Sequence, residues 1–339
     1  MSTGTIIVTA GRFKEFLSDL TPLFPKGSKT IPIGAEVIDN VMTLTCTQGC
    51  FYQTILDVNN LDNASHQATI LYCNILDFIP TVGDVRLTFS PAGLRLFGEG
   101  FDITLPNGYS LVKTIDFPTE DYTPITTGSY IPGLKNLVDM NLSGIYMYEK
   151  PITVYRNTAV LKYPNLYAMV KTDSLPFYGV ITPEHAKLLC RFGGTSVNDK
   201  EPESLIFRRG TSILEIPRKT VNEENNFLSL MEGLSEPINI NFDSYLERLR
   251  TMAKIGEKGH CKLTLFEDGL KTSVNANSIV LADAIGKCGG KLLHVFELPL
   301  SMWVMLVKAA GSGQVQILYR SDVVCLSTQS IIMLIRVLA

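Results

Sequence analysis

The strongest constraint on the fold is a pattern that recurs: one short apolar strand, one amphipathic helix, then a run of strands. It is clearest between Pro237 and Asn275. INI reads as the strand. Phe242, Tyr245, Leu246, Leu249, Met252 and Ala253 then share one helical stripe, with Asp243, Glu247, Arg250 and Lys254 opposite. Gly256 and Gly259 predict the helix end. CKLTLFEDGLKTSVN reads as two strands turning at Glu267-Asp268-Gly269, a hairpin signal. Repetition of this unit implies sheets with helices packed on one side.

The pattern returns along the chain. TIIVT precedes a stripe of Phe13, Phe16, Leu17 and Leu20; ATILY precedes Ile75, Leu76 and Ile79, with Asn74 as cap and Pro80 as terminator. Ile131, Leu134, Leu137 and Val138 mark a third helix. Thr182, Pro183 and Glu184 open a fourth, suiting the cap, the first turn and the positive end of the dipole. Trp303, Val304 and Val307 mark a sixth. The predicted helices start near residues 11, 74, 130, 182, 242 and 299. Asn107 to Tyr122 and Val221 to Glu236 are polar and read as linkers.

Length and composition bound the rest. A chain of 339 residues holds two or three domains. With 45% hydrophobic and 19% charged residues it can bury a core. The net charge of -3 argues against a generally basic coat but allows a basic patch. The opening residues lack a signal-peptide pattern, and no run of about 18 apolar residues predicts a membrane span. Seven irregularly spaced cysteines predict reduced, mostly buried thiols and a cytoplasmic protein.

No catalytic constellation is visible. His66, His185, His260 and His294 are scattered; HExxH, GxSxG, a P-loop and a dinucleotide fingerprint are missing. Gly98 and Gly100 sit between strands as turn glycines, and His260-Cys261 reads as a turn histidine beside a buried thiol. The expectation is no enzyme, no metal and no cofactor. The candidate functional groups are cations on helix faces: Lys14, Lys135, Lys187, Arg191, Arg250, Lys254 and Lys308. Lys187/Arg191 and Arg250/Lys254 repeat an i,i+4 spacing. Converging on one wall, they would attract phosphates without reading bases. The competing reading is an ordinary solvated face, since Glu15, Glu184 and Glu247 stand nearby.

Several segments resemble the bacterial β sliding clamp in matching order: VTAGRFKEFLSDL, VMTLTCTQGCFYQTILDV, FDITLP with DFP, LYAMVKTDS, NFDSYLERLRTM and the closing IIMLIRVL. The resemblance spans nearly the whole chain, and a divergent member from a virus or mobile element fits it. Ser174 and Leu334 depart from the Gly and Pro that the family has there. The resemblance implies an α+β DNA-clamp fold of three similar domains, 1–121, 122–236 and 237–339, each of two strand-helix-strands units. It implies a homodimeric ring with helices inside, encircling duplex DNA without sequence preference and tethering a replicative polymerase. A polymerase or clamp loader would bind by a short peptide in a pocket with Thr172 and Leu175 on one wall and Ile331 and Met333 on the other; Met231, an apolar residue in the acidic linker, reads as its floor. The alternative is a β-rich structural or assembly protein, for example of a virion, without DNA contact.

Overall fold

The computed structural model describes residues 4–20, 29–47, 50–73, 75–108, 117, 119–141, 143, 145, 148–172, 175–221, 227–256, 259–276 and 279–337. The fold is α+β and rich in sheet. The first repeat is β1 (Gly4–Thr9), α1 (Ala10–Asp19), β2 (Thr30–Ile38), β3 (Val41–Cys46) and β4 (Phe51–Asn60). The second is β5 (His66–Cys73), a 3-10 turn (Leu76–Phe78), β6 (Asp84–Ser90), β7 (Gly93–Gly98) and β8 (Phe101–Pro106). The third is β9 (Thr123–Pro124), α2 (Thr127–Asn141), β10 (Ile152–Tyr155), β11 (Thr158–Lys162) and β12 (Leu166–Lys171). The fourth is β13 (Tyr178–Ile181), α3 (Pro183–Phe192), β14 (Ser196–Asn198), β15 (Ser204–Arg209) and β16 (Ser212–Pro217). A short helix, α4 (Phe227–Met231), follows it. The fifth is β17 (Ile238–Asn241), α5 (Tyr245–Gly256), β18 (His260–Phe266), β19 (Gly269–Ala276) and β20 (Ile279–Gly286). The sixth is β21 (Leu292–Pro299), α6 (Leu300–Ala310), β22 (Gln314–Arg320), β23 (Val323–Ser327) and β24 (Ile331–Arg336).

The expected pattern is present six times, with two corrections. The helix expected near residue 74 is only the one-turn Leu76–Phe78. Pro80 drives the preceding Ile79 into extended geometry (φ -84°, ψ 123°), which leaves too short a run for an α-helix. The stretch read as a second linker carries α4. Asn74, Ser174 and most of the first linker lie outside the described residues.

One pairing rule repeats. The strand that leads each repeat pairs with the first strand after the helix of the adjoining repeat, always antiparallel. β1 pairs with β6 and β5 with β2; β9 with β14 and β13 with β10; β17 with β22 and β21 with β18.

The chain divides into two compact units, 1–127 with 184–219, and 128–183 with 220–339. The first holds a 12-stranded sheet, β8-β7-β6-β1-β4-β16-β15-β14-β9, with β2, β3 and β5 branching from it. Phe51 to Thr54 of β4 pair with β16, while Val58 to Asn60 pair with β1. Tyr52 of β4 stacks on Phe16 of α1 at 5.2 Å and meets Phe192 of α3 edge-on at 5.7 Å. The two helices therefore cover the same patch of sheet. All three rings are almost fully buried, and burying one such side chain stabilises by about 1.5–3 kcal/mol.

The second unit holds an eight-stranded sheet, β13-β10-β11-β12-β24-β23-β22-β17, and a four-stranded sheet, β20-β19-β18-β21. α2 lies close to β12 because it presents Gly133; a Cβ there would sit 3.2 Å from that of Val170. α5 and α6 pack together and against the four-stranded sheet. Their junction is a buried hydrogen-bond chain. Trp303 Nε1 donates to the Tyr245 hydroxyl at 2.8 Å, and that hydroxyl bonds the Thr272 hydroxyl of β19. All three side chains are fully buried. Desolvation in this core pushes the Tyr245 phenol far above its ordinary range.

Candidate functional site

The charges on the helices follow from amphipathicity: apolar stripes face the sheets, leaving lysines and arginines on the other side. The six helices together carry nine Lys and Arg against five Asp and Glu, although the whole chain is at -3. The cations differ in freedom. Lys187 and Arg191 on α3, Lys254 on α5 and Lys135 on α2 are exposed and form no ion pair among the described residues. Arg250 is held by Glu247 at 2.7 Å, one turn away. Lys308 of α6 reaches Asp139 of α2 at 3.5 Å. Lys14 is half-buried and donates to the Ile79 carbonyl at 2.7 Å.

Within each unit the structure brings some of these helices together. α1 and α3 meet over Tyr52 in the first. In the second, α2, α5 and α6 line one groove of about 550 Å³, with Met140, Ile145, Val304 and Met305 on its walls and the Lys308–Asp139 pair at its side.

Three arginines were missed from the sequence. Arg248 of α5 lies across the Tyr245 ring at 5.9 Å and binds Asp283 at 2.9 Å. Arg12 of α1 donates to the Thr211 hydroxyl at 3.2 Å. Arg209, at the end of β15, pairs with Glu15 of α1 at 3.1 Å. Arg12 and Arg248 stand on helices already singled out and were legible there. Arg209 stands on a hairpin, where no periodicity marks it.

The residues expected to form a peptide pocket separate onto two faces of the eight-stranded sheet. Side chains alternate across a strand. Ile331 and Met333 turn to the face packed by α6 and are fully buried. Thr172 and Leu175 are fully buried as well, in a turn fixed by bonds from Thr172 N to the Asn157 carbonyl at 2.9 Å and from Asn157 N to the Leu175 carbonyl at 2.7 Å. All four side chains lie in the core, Ile331 and Met333 by the pleat of β24 and Thr172 and Leu175 beyond the end of β12. Met231 is on the other face. α4 lies there on Val160, Tyr167, Val323, Cys325 and Leu334, with Phe227 5.3 Å from the Tyr167 ring and the Met231 sulfur 4.0 Å from that of Cys325. Beside α4 opens a groove of about 320 Å³. Its floor is Leu166, Tyr167, Leu230, Val323 and Leu334; Lys162, Arg320 and Arg336 stand at its rim.

Among the described residues no three His, Cys, Asp or Glu side chains gather as a metal site. Cys46, Cys50, Cys261 and Cys325 are buried. No described helix is long and apolar enough to cross a membrane.

No family model and no curated protein matches the chain by sequence. Solved structures do match it in fold, end to end. A Helicobacter pylori beta clamp bound to a DNA ligase peptide superposes with a TM-score of 0.77, covering 99% of this chain and 100% of that one at 12% identity. DNA polymerase III subunit beta of Borrelia burgdorferi gives 0.76, with 99% of each chain covered at 12% identity. The beta subunit from DNA polymerase of Streptococcus pyogenes gives 0.75, covering 98% and 99% at 16% identity. The fold is that of the bacterial β sliding clamps.

Proposed function

We propose that this chain is a DNA sliding clamp, a processivity factor and not an enzyme, acting in the cytoplasm as a homodimeric ring on duplex DNA. The end-to-end agreement in fold with β clamps carries this reading. The surplus of cations on the helices of an otherwise acidic chain supports it. Lys14, Lys135, Lys187, Arg191, Arg250, Lys254 and Lys308 would make weak, mobile phosphate contacts, which retain the ring without stopping it. The repeated strand exchange supports three domains, 1–121, 122–236 and 237–339, because each pair of repeats completes its own pairing. Two copies would join by strand addition between β8 of one and β20 of the other. Each of these strands ends its sheet, and β20 carries Val280 at 68% exposure.

A polymerase or clamp loader would dock by a short peptide in the groove beside α4. Leu334 and Tyr167 would take its apolar side chains and the rim cations its carboxylates. Met231 would stand at the margin of this site. Thr172, Leu175, Ile331 and Met333 would support it from the buried side of the tail strand. The deciding experiment loads the protein on nicked circular DNA. Retention that is lost on linearisation supports the clamp. Equal retention on linear and circular DNA, or none on either, sinks it in favour of a structural protein without a topological grip.

A further inference from the structure

We infer that Arg12 and Arg209 form a fixed seat for one backbone phosphate of the bound nucleic acid, gated by Glu15. The inference rests on the DNA reading above and adds two residues to it, of which Arg209 lies outside any helix pattern.

Arg209 is placed from three sides. Its guanidinium lies 5.0 Å from the centre of the Phe192 ring, its Nη1 donates to the Phe192 carbonyl at 2.7 Å, and its Nη2 is 3.1 Å from the Glu15 carboxylate. Its side chain is nevertheless 26% exposed. Arg12 is placed from the other side. Its Nη2 donates to the Thr211 hydroxyl at 3.2 Å, and that hydroxyl donates to the Ile55 carbonyl at 2.9 Å. The turn that joins β15 to β16, Gly210-Thr211, has Gly210 at φ 56°. Both arginines, Glu15, Gly210, Thr211 and Ser212 line one cavity of about 170 Å³. That is room for roughly five waters at about 30 Å³ each, enough for a tetrahedral phosphate.

A planar guanidinium offers a donor fork that matches phosphate oxygens, and one already immobilised loses less freedom on binding. This separates the pair from Lys187, Arg191 and Lys254, which are free to follow a moving backbone. Glu15 occupies the Nη2 donor that a phosphate oxygen would use, and its side chain is 51% exposed, so it can turn out to solvent. Exchange of one anion for another keeps the contact weak. The bland reading is that Arg209 merely fastens the hairpin to α1 and α3. The two readings differ in what removing Glu15 does. A fastener that loses Glu15 gains for DNA only the general effect of one deleted negative charge. A gated seat gains more, and only while Arg209 is present.

The test measures binding of the full-length chain to a fluorescent 30-base-pair duplex over a salt series, with circular dichroism to confirm folding. Arg12→Gln is expected to lower the salt slope by about one unit, the signature of one lost phosphate contact. Glu15→Gln is expected to tighten binding several-fold beyond Glu184→Gln, the matching deletion on exposed α3, and to lose that excess in an Arg209→Gln background. Arg209→Lys keeps the charge without the fork and serves if the glutamine variant fails to fold; it too should remove the excess. Equal gains from Glu15→Gln and Glu184→Gln, with an unchanged slope for Arg12→Gln, overturn the seat while wild-type binding still upholds the DNA reading. A wild-type chain that binds no duplex at any salt overturns both.

Discussion

Exchanging the free cations tests the DNA surface with a magnitude the structure sets. Lys187, Arg191 and Lys254 are exposed and without ion pairs among the described residues, whereas Arg250 is already satisfied by Glu247 at 2.7 Å. Each cation that neutralises a phosphate adds about 0.9 to the slope of log affinity against log salt. The triple change to Gln should therefore flatten the slope by about 2.7. Over a four-fold rise in salt, from about 50 to 200 mM, the mutant should lose about forty-fold less affinity than the wild type. Arg250→Gln alone should change the slope by clearly less than Lys254→Gln, because Glu247 shares its charge. Fluorescence anisotropy on a duplex at five salt concentrations reads this directly. A folded triple mutant with the wild-type slope would refute the surface. An Arg250 effect as large as that of Lys254 would refute the argument from ion pairing.

Other outcomes follow from the buried and edge sites. Tyr245→Phe leaves the Trp303 donor and the Thr272 hydroxyl without their shared partner, at about 1–3 kcal/mol for each buried orphan; thermal unfolding followed by fluorescence of Trp303, the sole tryptophan, should show about 2–6 kcal/mol lost. Val280→Asp, on the exposed β20 edge, should give a folded monomer by light scattering, and an unchanged dimer would place the interface elsewhere. Leu334→Arg should abolish binding of a polymerase-derived peptide while circular DNA is still retained. Asp62 is held below the usual carboxylate range, first by its hydrogen bond from His66 at 2.9 Å. A depressed folded pKa stabilises above the unfolded value, and that contribution fades as pH falls through the folded one; Asp62→Asn should remove this part of the acid sensitivity below about pH 4.

Much of the fold was legible because the repeat is written locally. Pro183 begins α3 where Thr182-Pro183-Glu184 predicted, and the Phe13, Phe16 and Leu17 stripe of α1 is buried as its spacing implied. Pro80 was legible as the end of the second helix; that it leaves only the one 3-10 turn Leu76–Phe78 follows from the extended geometry it imposes on Ile79. α4 was invisible. Five residues nucleate no helix alone, and FLSLM is helical on a sheet face supplied by Tyr167 and Cys325. The residues expected around the peptide pocket depend on more than their strand. Sequence placed Ile331 and Met333 on the tail strand β24, but which face of its pleat is covered depends on the helices that pack there. The Arg209–Glu15 pair joins residues 194 positions apart, and no local pattern announces it.

The pairing of β12 with β24, Ala168 opposite Met333, joins strands that the ribosome makes far apart in time. At about 5–20 residues per second, the stretch from Lys171 to Arg336 takes roughly 8–33 s to emerge. Through that interval the apolar edge of β12 has no partner, and an open edge invites pairing with a neighbouring nascent chain. Synthesis itself is thus the chain's most aggregation-prone period, and β24, near its end, is what closes it. Slowing translation downstream of Lys171, or raising expression until nascent chains crowd, should increase insoluble product even though the finished protein is unchanged.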